Sequence, residues 1–71
     1  MRIEIMARTG HELLGEVTKA TGPEEFEWIG KQFRELQRRG YSAFTRSGQR
    51  VKSFNPEIEE DIVFIAPLVG G

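Results

Sequence analysis

The apolar residues of this chain's clearest helical segment fall on a single stripe, and that stripe limits the fold to one helix laid across one sheet. At about 100° per residue, Phe26, Ile29, Phe33 and Leu36 share one narrow arc. The chain has 71 residues and no cysteine, so neither a disulfide framework nor a thiolate metal site is available to staple a second core. The segment opens on Thr21-Gly22-Pro23-Glu24-Glu25, where proline suits the first helical position and the glutamates suit the positive end of the helix dipole. Thr21 and Glu24 offer a capping box as an alternative start, and Gly40 supplies the stop. Glu27, Lys31, Glu35 and Arg39 line the far side at four-residue spacing, a pattern of solvated ion pairs worth roughly tenths of a kcal/mol each. Trp28 projects roughly 80° from the stripe: it is either an exposed anchor, a cover for the start of the helix, or a neighbour of Tyr41.

Strand patterns flank the helix on both sides. In residues 1–8, Met1, Ile3, Ile5 and Ala7 alternate with Arg2, Glu4 and Arg8, which predicts a half-buried strand. Thr9-Gly10-His11-Glu12 reads as a turn, and residues 13–19 as a second strand with Leu13 and Val17 inward. After the helix, residues 41–45 and 50–54 predict a hairpin around Arg46-Ser47-Gly48-Gln49, with Gly48 free to take a positive φ. Asn55-Pro56 breaks that ladder, and Glu57-Ile58-Glu59-Glu60 connects to a last strand over residues 61–66. The predicted class is α+β, in the order ββαβββ, with one helix on one face of a mixed sheet. The continuous apolar run in the last strand suits a central position beside the first, with Ile62 and Phe64 facing one way and Val63 and Ile65 the other.

Composition narrows the function classes. Ten basic and eleven acidic residues leave a formal net charge of −1, which offers no general attraction to nucleic acid or an anionic membrane. The longest apolar run, residues 62–68, is far short of the roughly 20 residues a spanning helix needs. Met1-Arg2-Ile3-Glu4 does not resemble a signal peptide, so a cytoplasmic location is expected. His11 is the only imidazole and sits in the predicted turn, without a cysteine or a second histidine to work with; intrinsic catalysis is not expected. One basic region, formed by Lys31, Arg34, Arg38, Arg39, Arg46, Arg50 and Lys52, is suited to steering an acidic partner.

The order of elements, running into Pro67-Leu68-Val69-Gly70-Gly71, resembles the β-grasp superfamily of ubiquitin and the bacterial sulfur carriers. The segment Ile65-Ala66-Pro67-Leu68-Val69-Gly70-Gly71 is similar to the apolar, proline-containing tail that ends in Gly-Gly in the small subunits of molybdopterin synthases. The architectural likeness covers nearly the whole chain, while the motif likeness is confined to the tail.

The resemblance implies a β-grasp domain over residues 1–66, a flexible tail over 67–71, and a working group that is the carboxylate of Gly71 beside Gly70. It implies no bound cofactor. A partner activating enzyme would use Mg-ATP to adenylate that carboxylate. Two fates follow: a thiocarboxylate that donates sulfur to an acceptor, or an isopeptide bond to a lysine of a target protein. Glycine at both final positions lets an extended tail thread a narrow channel, and from Pro67 to Gly71 it reaches roughly 17 Å. The sheet face opposite the helix is expected to hold the partner through Phe44, Val63 and Ile65, or through Ile62 and Phe64 in the other register, with Pro67, Leu68 and Val69 of the tail and with Trp28 as a further anchor. Met6 and Leu14 join this face where they point the same way. The alternative is a non-conjugated β-grasp interaction module in which the tail does nothing.

Overall fold

The computed structural model describes residues 1–7, 10–55 and 57–67. Its elements are β1 (Arg2–Ala7), β2 (Gly10–Glu16), α1 (Pro23–Arg38), β3 (Ser42–Thr45), β4 (Arg50–Val51) and β5 (Ile62–Ile65). The strands form one sheet in the order β2-β1-β5-β3-β4, in which β1 and β5 run parallel and every other neighbouring pair is antiparallel. The fold is therefore α+β, with one helix and a five-stranded mixed sheet. The first and last strands of the chain occupy its centre. No helix among the described residues is long and apolar enough to cross a membrane.

The core lies between α1 and one sheet face. Ile29, Phe33 and Leu36 are buried from the helix, and Ile3, Ala43, Val51, Ile62 and Phe64 from the strands. Phe33, Phe64, Ile3 and Ile62 are fully buried, each contributing about 1.5–3 kcal/mol by leaving water. The Phe33 ring meets Phe64 edge-on, with centroids 4.7 Å apart and planes at 74°. Phe26 is half-buried at the margin of the stripe, where it packs on Phe54.

Helix α1 begins and ends as its local chemistry dictates, with one change. Gly22 is the N-cap, in an extended conformation and without a side-chain cap, and Pro23 opens the first turn. The capping box does not form, because the Thr21 hydroxyl accepts a hydrogen bond from the Thr18 N–H at 2.7 Å. At the other end Gly40 has φ +93°; its N–H donates to the Gln37 carbonyl at 3.0 Å and that of Tyr41 to the Leu36 carbonyl at 3.0 Å. This pair of bonds is a Schellman stop, which requires the left-handed residue that glycine supplies. On the exposed side Glu35 approaches Arg39 at 3.7 Å and Arg38 at 3.9 Å.

The second strand departs most from the expected boundaries. It starts at Gly10, opposite Ala7, so His11 lies in a strand opposite Met6 and not in a turn. It ends at Glu16, beyond which Met1 and Val17 exchange N–H···O bonds at 2.7 and 2.9 Å and the Thr18 N–H donates to the Thr21 hydroxyl. Its register slips between Ile3 and Glu4: Ile3 pairs with Gly15 and Glu4 with Leu13, which leaves Leu14 as the extra residue of a bulge. A bulge reverses the parity of a strand. Leu13, expected inward, is consequently 51% exposed, while Leu14 is half-buried against the core.

Strand β4 is shorter than residues 50–54, being confined to Arg50–Val51. The Lys52 carbonyl accepts a hydrogen bond from the Gln37 side chain at 2.6 Å, drawing the chain off the sheet towards the helix. Phe54 then packs between Phe26 and Phe33, at centroid distances of 6.2 and 6.1 Å. Gly48 takes φ +93° in the β3–β4 turn, as its position predicts.

Candidate partner-docking face and tail

With α1 on one side of the sheet, residue parity assigns the opposite face. Cross-strand partners share a face, so the pairings lay out a charged pair at one end, Arg2 with Glu16, and two rows running across the sheet. One row is His11, Met6, Ile65 and Ser42. The other is Leu13, Glu4, Val63, Phe44 and Arg50. Leu13, Met6, Val63, Ile65 and Phe44 make the face apolar, with Met6 40% and Ile65 45% exposed and Val63 and Phe44 half-buried. Glu4 stands among them, 3.7 Å from Arg2, and His11 and Arg50 mark opposite margins. An apolar surface with a polar rim and one internal carboxylate is chemistry for holding a protein, because it offers area to desolvate and few fixed charges to strip of water.

Three of the expected docking residues, Phe44, Val63 and Ile65, are thus brought together, and Met6 joins them. Leu14 does not; the bulge puts Leu13 there instead. Sequence alternation missed Leu13, although the adjacent pair Leu13-Leu14 carried the signal that an alternating strand cannot bury both. Trp28 stands apart from this face. It is 50% exposed on α1, beside Gly15 of β2, on the side of the sheet that the helix covers.

The chain leaves the sheet at a defined point. Beyond β5, the Ala66 N–H donates to the Met6 carbonyl at 3.2 Å, and Pro67, which has no N–H, cannot supply a further rung. Pro67 is exposed and lies against the end of α1, where a Cβ at Gly40 would stand 3.4 Å from Pro67 Cβ. The departure point is two residues past Ile65, at the edge of the apolar face. Leu68, Val69, Gly70 and Gly71 lie outside the described residues.

Among the described residues no three His, Asp or Glu side chains gather where they would hold a metal ion. Comparisons with protein-family models, with curated proteins and with solved structures find no match for this chain.

Proposed function

We propose that this chain is a ubiquitin-like carrier or modifier of the β-grasp kind, activated at the Gly71 carboxylate by a partner enzyme. The observation that carries the reading is the placement of β5, which runs parallel to β1 at the centre of the sheet and releases the chain at Ala66 and Pro67. A central last strand beside the first, with one helix across one face, is the arrangement the β-grasp reading calls for. It anchors the root of the tail, Ala66 and Pro67, at the edge of an apolar face. A partner seated on Leu13, Met6, Val63, Ile65 and Phe44 has that root beside it.

The chemistry belongs to the partner. The Gly71 carboxylate oxygen attacks the α-phosphorus of ATP and expels pyrophosphate, giving an acyl-adenylate. A persulfide sulfur then displaces AMP at the acyl carbon, and a thiol reductant cleaves the resulting S–S bond to leave a thiocarboxylate. Alternatively a partner cysteine displaces AMP to form a thioester, from which a target lysine amine takes the acyl group. The apolar character of Ala66-Pro67-Leu68-Val69 favours the sulfur route.

A second reading rests on the apolar face itself, which is complete without the tail: a protein-interaction module that is never conjugated. Deleting Gly70 and Gly71 separates the two. The carrier reading expects a truncated protein with an unchanged unfolding midpoint that forms no covalent adduct and cannot replace the full chain in its host. Full function of the truncated chain would leave the interaction module as the account.

A further inference from the structure

The face opposite the helix is apolar in its middle and carries opposite charges on its two halves. Along the row that crosses the sheet, Glu4 stands on β1 and Arg50 on β4, with Val63 and Phe44 between them. Glu4 is half-buried, with Arg2 at 3.7 Å; Arg50 is exposed and has no acidic side chain within ion-pair distance among the described residues. The same polarity recurs at one end of the strands. There Asp61, just before β5, accepts the Arg46 N–H on its carbonyl at 3.1 Å and lies 3.9 Å from the Arg46 guanidinium, just past β3.

A two-fold axis presents the same patch from both sides, so a face binds its own copy only where it is self-complementary. Stacking two such sheets face to face requires the axis to lie in the plane between them, along or across the strands. An axis across the strands through the Glu4 row sets Glu4 against Glu4 and Arg50 against Arg50; displaced by half the spacing to the next row, it sets Glu4 against Met6. An axis along the strands between β1 and β5 sets Glu4 against Val63. Each of these covers a carboxylate without bringing it a cation, which is strongly unfavourable. An axis along the strands between β5 and β3 does the opposite. It stacks β1 on β4 of the second copy and β5 on its β3, so that Glu4 meets Arg50 of the second copy on both sides of the axis, Val63 meets Phe44, and Asp61 meets Arg46. Aligned sheets pack about 10 Å apart, a gap that facing glutamate and arginine side chains span.

We infer that this face binds a second copy of the chain, in a two-fold dimer held by two pairs between Glu4 and Arg50 that flank an apolar centre of Val63 and Phe44. The overlap covers four strands about 4.8 Å apart and six residues of about 3.4 Å along each, a footprint of roughly 400 Å² per copy, half that of a standard stable interface. The dimer is therefore weak and readily reversible. It covers the apolar face in the free chain and yields it to a partner of larger footprint. The inference rests on the face alone and holds whether or not Gly71 is activated.

Sedimentation velocity of the full chain, from micromolar to millimolar concentration, tests it. The parent should show a reversible equilibrium between monomer and dimer. Glu4→Arg and Arg50→Glu should each weaken dimerisation at least tenfold, because like charges then meet across the axis. An equimolar mixture of the two variants should recover it, since each then carries the charge the other requires at both contacts. Unfolding midpoints verify that both variants are folded. Amide chemical shifts of the parent on dilution locate the contact without any substitution: they should move at Val63, Ile65, Phe44 and Arg50 and stay fixed along α1. A parent that is monomeric at millimolar concentration overturns the inference and leaves the face to a different protein. It is equally overturned by a mixture of folded variants no more dimeric than its components, or by dilution shifts confined to α1.

Discussion

Pro67 rests against Gly40: a Cβ at Gly40 would lie 3.4 Å from Pro67 Cβ, so the residue that stops the helix also abuts the residue at which the chain leaves the sheet. Gly40→Ala must place an L side chain at φ +93° and crowd Pro67 at the same time. The expected cost is about 1–2 kcal/mol, the penalty for a left-handed L-residue, read as a lowered urea midpoint. A variant as stable as the parent would mean that the Schellman stop is not required.

The core prediction follows from the edge-on contact of Phe33 with Phe64. A chain of this size holds about 4–10 kcal/mol of stability, and truncating a buried phenylalanine costs about 3–5. Phe33→Ala should therefore lose about 3–5 kcal/mol, a third or more of the total, read as a strongly lowered urea midpoint by circular dichroism. Ile62→Val, at an equally buried position of β5, should cost only about 0.5–1.5 kcal/mol and remain folded.

Asp61 ties the starts of the two central strands together. Its Oδ1 accepts the Arg2 N–H at 2.9 Å, and its other oxygen is 3.9 Å from the Arg46 guanidinium. Both partners are largely exposed, so Asp61→Ala should cost about 1 kcal/mol, most of it from the lost hydrogen bond and little from the ion pair. Adding salt should barely change the difference between the two denaturation midpoints. A strong salt dependence would assign the effect to Arg46 instead.

Leu13 and Ile65 test the apolar face. Both are about half exposed, so Leu13→Ser and Ile65→Ser should each change stability by less than about 0.5 kcal/mol. Truncating a central contact in an interface costs about 1–2 kcal/mol of binding. The double variant should accordingly keep its unfolding midpoint while accumulating markedly less covalent product in its native host. Equal yield from the double variant and the parent would remove this face from the partner-docking account.

Much of this architecture is legible in the sequence because its strongest signals are long and redundant. The helical stripe repeats four times, Pro23 and Gly40 bracket it, and the alternation of Ile62, Val63, Phe64 and Ile65 separates the two sheet faces correctly. The failures share one physical origin. Binary pattern reports which residues are apolar and not which hydrogen bond the backbone chooses. The one-residue bulge at Leu14 and the departure of Lys52 towards the Gln37 side chain are backbone choices of this kind. Which pair of β5 lies opposite the helix, Val63 with Ile65 or Ile62 with Phe64, depends on a register that alternation leaves open, and the bulge exchanges Leu13 for Leu14 on that face.

The central claim is that Gly71 carries the reactive group. The most direct measurement is the intact mass of the chain purified from a native-like host under conditions that preserve thioacids, together with mass spectrometry of higher-mass species recognised by an antibody to the chain. The account predicts either replacement of one oxygen of the Gly71 carboxylate by sulfur, or peptides in which Gly71 is joined to a lysine of another protein. A chain whose Gly71 carries neither modification, recovered alongside the products of its neighbouring genes, would contradict it.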